Sequence, residues 1–353
     1  MRFKYIIIFL TIAVTAHSCN LIPDAISGAT RGYDANGNSF YHRTKETNLK
    51  TGELWIDGEV KNPGKVNLRK LYKREVFYKE GVPNDSGKID FVGAYRYRGY
   101  SLFDILNPFF LEKKNAAEFV PDTDAYIIIE NDKGDKVVFS WAEIYLTQIP
   151  HQIIIATEQA SIQPYKREVD YPKDEIWKIV AATDLYAFRQ MENPTKITLR
   201  SFDKKHLPID RELENPYSPQ VNITLNDNLL TVVDSKYKSD CKVTYKSVFY
   251  GMGMGYHDTP TFTGYPLAPI VWQGFKENEF SWMRKGLALV VGKDGFRNIL
   301  SVSELLNRAD QAEPILAIPP DYKSKGHYRL YLPWAFYADF SVRNLAEIYF
   351  FTE

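Results

Sequence analysis

The chain has 353 residues, of which 44% are hydrophobic and 25% charged, the profile of a packed globular protein with room for two ordinary domains. Acidic and basic residues balance at 44 each, so no overall field gathers phosphate backbones, and nucleic acid is set aside as a partner. Two isolated cysteines, Cys19 and Cys241, leave no CxxC or zinc-ligand spacing, and six histidines form no HExxH.

Arg2 and Lys4 precede the apolar run Tyr5–Val14, which small and polar residues follow up to Cys19. That is the layout of a secretory signal over residues 1–18. The run is too short for a bilayer crossing, which takes about 20 residues. Ala16-His17-Ser18-Cys19 resembles a lipobox, so Cys19 is expected to carry the lipid that anchors the mature chain. The expected place is the cell envelope, on a bacterial membrane and facing the periplasm or exterior. Residues 19–50, rich in Gly, Asn, Ser, Asp and Thr, read as a flexible tether.

From residue 51 the chain repeats itself. Tyr97–Leu106 reads as an aromatic strand end, a glycine and a short amphipathic helix, and Phe262–Val271 repeats it, with Gly99 matched by Gly264 and Leu102 by Leu267. Each is followed by an apolar strand, a charged glycine turn and a helix: Ala125–Glu130, Asp132–Gly134 and Phe139–Ile144, then Leu287–Val291, Lys293–Gly295 and Leu300–Leu306. Another apolar strand follows, Ile153–Ala156 against Ile315–Ile318. Near the ends, Tyr186–Arg189 is matched to Phe340–Arg343, and Lys196–Leu199 to Glu347–Phe350. Pro208, Pro216 and Pro219 break the seam. The expected architecture is α+β and sheet-rich with short helices: domain 1 over 51–200, a linker over 201–220, and domain 2 over 221–353.

The ordered pieces resemble the molybdopterin-binding domain of the sulfite oxidase family, its periplasmic members above all. Leu54–Pro63 looks like the family's opening strands, with Val66–Leu71 as the short helix after them. Gly264–Leu267 is similar to the G-x-P-L helix start, Lys293–Phe296 to the D-G-Y/F turn, and Gly326–Trp334 to the segment ending in P-W. The resemblance implies two sulfite-oxidase-like domains and a molybdenum held by one thiolate about a dozen residues before the G-x-P-L glycine. Those positions are Met252 and Gly87, and neither is a thiol. The family's phosphate-binding lysine after P-W corresponds to Ala335, whereas Arg329 matches its arginine. Molybdenum catalysis is therefore not expected, and no catalytic residue is assigned.

Gly251–His257 holds two thioethers and an imidazole within a short, glycine-rich run. Met252, Met254 and His257 could hold Cu(I) as soft ligands. The glycines could instead present N–H groups to an anion, or merely let backbones pass closely. Met252, Gly253, His257 and Arg329 form the candidate pocket. Cys241 reads as a small buried residue. Asp122, Asp124, Asp132 and Asp135 read as turn residues of surface loops. His151, His206 and His327 stand alone, with no Ser/His/Asp arrangement to be argued. The expected function is a non-catalytic binding or assembly lipoprotein of the envelope, without a cofactor and with a possible envelope protein as partner. The alternatives are a divergent molybdopterin-dependent oxidoreductase and a copper-binding lipoprotein.

Overall fold

The computed structural model describes residues 41–84, 88–164, 166–210, 212–214, 217–318 and 328–353. The expected signal segment, Cys19, Gly87 and His327 lie outside them. The chain is α+β, dominated by strands, and among the described residues its α-helices run four to seven residues. No helix among the described residues is long and apolar enough to cross a membrane.

The first half contains β1 (Thr47–Asn48), β2 (Trp55–Gly58), β3 (Gly64–Lys65), β4 (Arg74–Pro83), β5 (Ile89–Ser101), α1 (Leu102–Leu106), β6 (Ala125–Asn131), β7 (Lys136–Ser140), α2 (Trp141–Tyr145), β8 (Ile153–Ser161), β9 (Lys178–Ala181), β10 (Met191–Glu192) and β11 (Pro194–Ser201). The second contains β12 (Gln220–Leu225), β13 (Asn228–Asp234), β14 (Val243–Lys246), β15 (Phe249–Gly251), β16 (Gly255–Asp258), β17 (Thr261–Pro266), α3 (Ala268–Val271), α4 (Glu279–Lys285), β18 (Gly286–Gly292), β19 (Arg297–Ser301), α5 (Val302–Leu306), β20 (Ile315–Ala317), β21 (Arg329–Tyr331) and β22 (Leu345–Thr352).

The halves share a strand plan. One sheet of the first half runs β3-β2-β11-β6-β7, and one of the second runs β13-β12-β22-β18-β19. In both, the first and last long strands are parallel neighbours (β2 with β11, β12 with β22) and the other pairs are antiparallel. The other sheets run β10-β9-β8-β5-β4, with β1 on β8, and β14-β17-β20-β21. Matched glycines serve matched turns: Gly134 and Gly295 take φ of 83° and 78° between antiparallel strands, a region that β-carbons disfavour. Ser101, Ser140 and Ser301 cap α1, α2 and α5, each accepting a backbone N–H from the residue three places on.

β6 and β18 are apolar runs rather than alternating ones because both of their faces are covered. One face of β6 meets its own half's core through Ile127 and Ile129. The other carries Tyr126 and Ile128, which join Val138, Phe202, Leu287, Leu289, Val291, Ile299, Tyr349 and Phe351 in a core shared between the halves. Each such buried side chain stabilises the fold by about 1.5–3 kcal/mol. Two bridges add a reciprocal link: Thr147 pairs with Ala335, and Asp184 with Arg308.

Four expectations need correction. The stretch expected to be tether enters the fold before residue 50, since β1 pairs with β8 and Leu49 is buried. Arg189 is matched by Phe340, not Arg343, because the 3-10 turns Ala187–Arg189 and Ala338–Phe340 precede the left-handed residues Asn193 and Asn344 at equal spacing. Cys241 is exposed, because it lies in the turn between β13 and β14, outside any sheet. Asp124 is fully buried, held by Lys113 at 2.6 Å and Arg297 at 3.0 Å.

Candidate functional site: a cleft beneath a glycine-rich hairpin

β15 and β16 form a two-stranded hairpin, with Tyr250 opposite Tyr256 and Gly251 opposite Gly255. Strand alternation gives it two faces. Its inner face covers a cleft of about 360 Å³, lined among others by Phe249, Gly253, His257, Arg329, Asp339 and Arg343. Gly251 permits the closure: a β-carbon there would stand 2.8 Å from His257 Nε2 and 3.4 Å from Asp339 Oδ2. The Met252 N–H donates to Asp339 Oδ2 at 2.7 Å and fastens the turn to the floor. Arg329 lies over the rings of Phe249 and Phe262, 5.1 and 5.8 Å from their centres.

Of the residues singled out from sequence, Gly253, Met254, His257 and Arg329 line this cleft and Met252 does not. Met252 and Met254 are both exposed, at 47% and 84%. Sequence reasoning missed Asp339 and Arg343 as lining residues, and Asp294, which stands in the lysine–aspartate–glycine turn already noticed. Asp294 accepts the Phe296 N–H at 3.2 Å, so each aspartate already serves a backbone donor. Two arginines and an imidazole, set beside two aspartates and aromatic walls, suit a small polar organic molecule whose carboxylate, sulfate or phosphate meets the cationic side of the cleft.

The lining does not fit a molybdenum centre. It offers no thiolate, and the one cysteine among the described residues, Cys241, is exposed in a turn and absent from it. Ala335, where the resembled family has a lysine, instead bridges to Thr147.

Elsewhere the fold assembles a Ser/His/Asp group that spacing did not reveal. Ser101 Oγ lies 3.0 Å from His151 Nδ1 and donates to Asp104 Oδ2 at 2.9 Å, while Arg74 Nε donates to the same carboxylate at 2.8 Å. Burial lowers the His151 pKa against the pull of Asp104. Ser101 is nonetheless a poor nucleophile, being wholly buried and accepting the Asp104 N–H as the cap of α1. The adjoining cavity holds about 10 Å³, too little for a substrate.

A second buried group lies where the halves meet. Arg189 Nη1 donates to Glu143 at 2.9 Å and to Ser301 Oγ at 3.0 Å, and its Nε donates to Asp184 at 2.8 Å. In the other half the counterparts of Arg189 and Asp184 are Phe340 and Ala335. Glu304, the counterpart of Glu143, accepts from Ser140 Oγ at 2.8 Å and Trp334 Nε1 at 3.1 Å. Burial and the nearby Glu143 push the Glu304 carboxyl up to about 8, against these hydrogen bonds. The unfolded chain gives up this proton in the ordinary carboxylate range and the folded chain holds it to about 8. Stability is therefore expected to fall as pH rises through that window and to level off above it. Glu304→Gln, which keeps a neutral side chain of the same shape, is expected to flatten this slope, as read from urea midpoints at mildly acidic and mildly alkaline pH.

The chain matches no family model, no curated protein and no solved structure.

Proposed function

We propose that this chain is an exported lipoprotein, built from two degenerate sulfite-oxidase-like repeats, that acts as a non-catalytic binding component of the cell envelope. Its ligand is a small anion-bearing organic molecule held under the hairpin. The observation that carries this reading is the convergence of His257, Arg329 and Arg343 on one cleft whose lining lacks a thiolate. The shared strand order of the two halves supports descent from one repeated unit, and the exposed position of Met252 speaks against its standing in for the family's metal ligand.

The test is to purify the full chain from a host that makes molybdopterin and to identify co-purifying small molecules and metals by mass spectrometry. An anionic compound present in the wild type and reduced at least tenfold in Arg343→Glu is the expected result, since reversing one charge at a charge-assisted contact removes about 1.5–3 kcal/mol. Near-stoichiometric molybdenum with pterin would overturn the reading in favour of an oxidoreductase. Bound copper lost on Met254→Leu would favour the thioether–imidazole site instead.

A further inference from the structure

The tip and outer face of the same hairpin carry more than the cleft uses, although Met254 at the tip also borders the cleft. Ser247–Tyr256 is a run of ten residues without a charged side chain. Val248, Tyr250, Met252, Met254 and Tyr256 are all exposed, and Phe336 beside them is half exposed. Phe336 and Tyr337 lie 6.1 and 6.3 Å from the Tyr250 ring and back the hairpin on one side. With the Met252–Asp339 hydrogen bond they hold in place a two-stranded element that would be marginal alone. An exposed apolar patch of this kind marks a docking surface.

The surroundings say what docks there. Lys236, Lys238, Lys242 and Lys246, all exposed, lead directly into the hairpin, and only Asp240 opposes them in that stretch. The chain as a whole is neutral, so this is a local excess of positive charge. Protein–protein interfaces are depleted in lysine, whereas anionic lipid headgroups attract it. The order of side chains follows the same logic. Along the chain, two thioethers occupy the turn, Tyr250 and Tyr256 face each other one step back, and Lys246, Lys242, Lys238 and Lys236 precede them at increasing distance in sequence. Apolar groups at the tip, amphipathic rings at headgroup depth and cations in the headgroup layer form the sequence that a bilayer interface selects.

We propose that the β15–β16 hairpin docks on an anionic phospholipid surface, inserting Met252 and Met254 to the level of Tyr250 and Tyr256. The cleft on its inner face then opens beside the headgroups. The proposal rests on the envelope placement of the chain but not on the identity of the cleft ligand.

The experiment places a nitroxide at position 254 (Met254→Cys with Cys241→Ser) in the full chain, with a second label at 132 (Asp132→Cys) as reference. Each is mixed with phosphatidylcholine vesicles with or without phosphatidylglycerol. The expected result is that the label at 254 becomes accessible to oxygen and shielded from an aqueous nickel chelate on the phosphatidylglycerol vesicles, while that at 132 stays aqueous. Replacing Lys246 by Ser is expected to weaken the hairpin contact about fivefold, the effect of one basic residue near a charged surface. A chain that sediments with vesicles but keeps its label at 254 aqueous overturns the docking and leaves the anchor standing, and the face then belongs to a protein partner. Equal shielding on neutral vesicles overturns the choice of anionic lipid. Shielding that persists after Cys19→Ser supports docking without the anchor.

Discussion

Replacing Arg189 by Met is expected to lower the unfolding free energy by about 3–5 kcal/mol, the usual consequence of removing one member of a buried ionic group. The guanidinium is wholly buried, and burial works against its charge, yet Asp184 and Glu143 keep it firmly protonated. Its Nη1 also donates to the Val138 carbonyl at 3.2 Å and to Ser301 Oγ at 3.0 Å, so one side chain ties α2, the Asp184 turn and the cap of α5 together. Without it, two carboxylates remain in the interior with no cation. The second half suggests the compensated variant. There the same place holds Phe340 and Ala335, with Glu304 as the remaining carboxyl. Arg189→Phe with Asp184→Ala is therefore expected to cost less than Arg189→Met alone, because only one carboxyl, free to take up a proton, is left behind. Chemical denaturation of the three proteins decides the matter: a double variant less stable than the single one would show that the ionic group stabilises the junction beyond repairing its own burial.

Gly99→Ala and Gly264→Ala are each expected to cost about 3 kcal/mol or more, at the upper end of overpacking effects. A β-carbon on Gly99 would stand 2.0 Å from the Ile155 carbonyl oxygen and 2.7 Å from the Ala156 Cα. On Gly264 it would stand 2.1 Å from the Leu316 oxygen and 2.5 Å from the Ala317 Cα. In both cases the obstacle is backbone of the neighbouring strand, so no rotamer change relieves it. Gly64→Ala is the control, since nothing lies within 4 Å of the added atom, and it is expected to change the thermal midpoint little. If either core glycine tolerates alanine as well as Gly64 does, the strands are not held as closely as β5–β8 and β17–β20 are here.

These two glycines also mark what could be read without coordinates. Gly99 and Gly264, the turns at Gly134 and Gly295, and the strands around them were legible because backbone requirements leave local residue signatures. The cleft was half legible: the glycine-rich run and Arg329 stood out, while Arg343 and Asp339 enter it only because the 3-10 turn Ala338–Phe340 folds under the hairpin. The buried ionic groups were not legible at all. Arg297 and Asp124 are 173 residues apart, and nothing local distinguishes them from surface charges. The same long-range pairing took Asp124 out of the surface loop to which its neighbours pointed. Ser101, Asp104 and His151 meet for a similar reason, as β5 and β8 are adjacent only in the folded sheet. Matching Arg189 to Arg343 followed residue identity, whereas the chain's geometry places an aromatic ring where the first half has a cation.

Within each of the five-stranded sheets, the strand synthesised last joins the early pair of strands to the later pair: β11 lies between β2 and β6, and β22 between β12 and β18. Neither five-stranded sheet can close by growing along the chain as it emerges. Each must wait for contacts more than a hundred residues apart, such as Ile56 with Ile197 and Ile223 with Ile348. High contact order of this kind slows folding. On the proposed export route the chain is threaded unfolded through a translocation channel, and such a delay keeps its cores open until each half has been delivered in full. The face of Tyr126, Ile128 and Val138 must wait longer still, until the second half arrives to cover it. Over that interval it is an uncovered apolar face of the kind a chaperone shields.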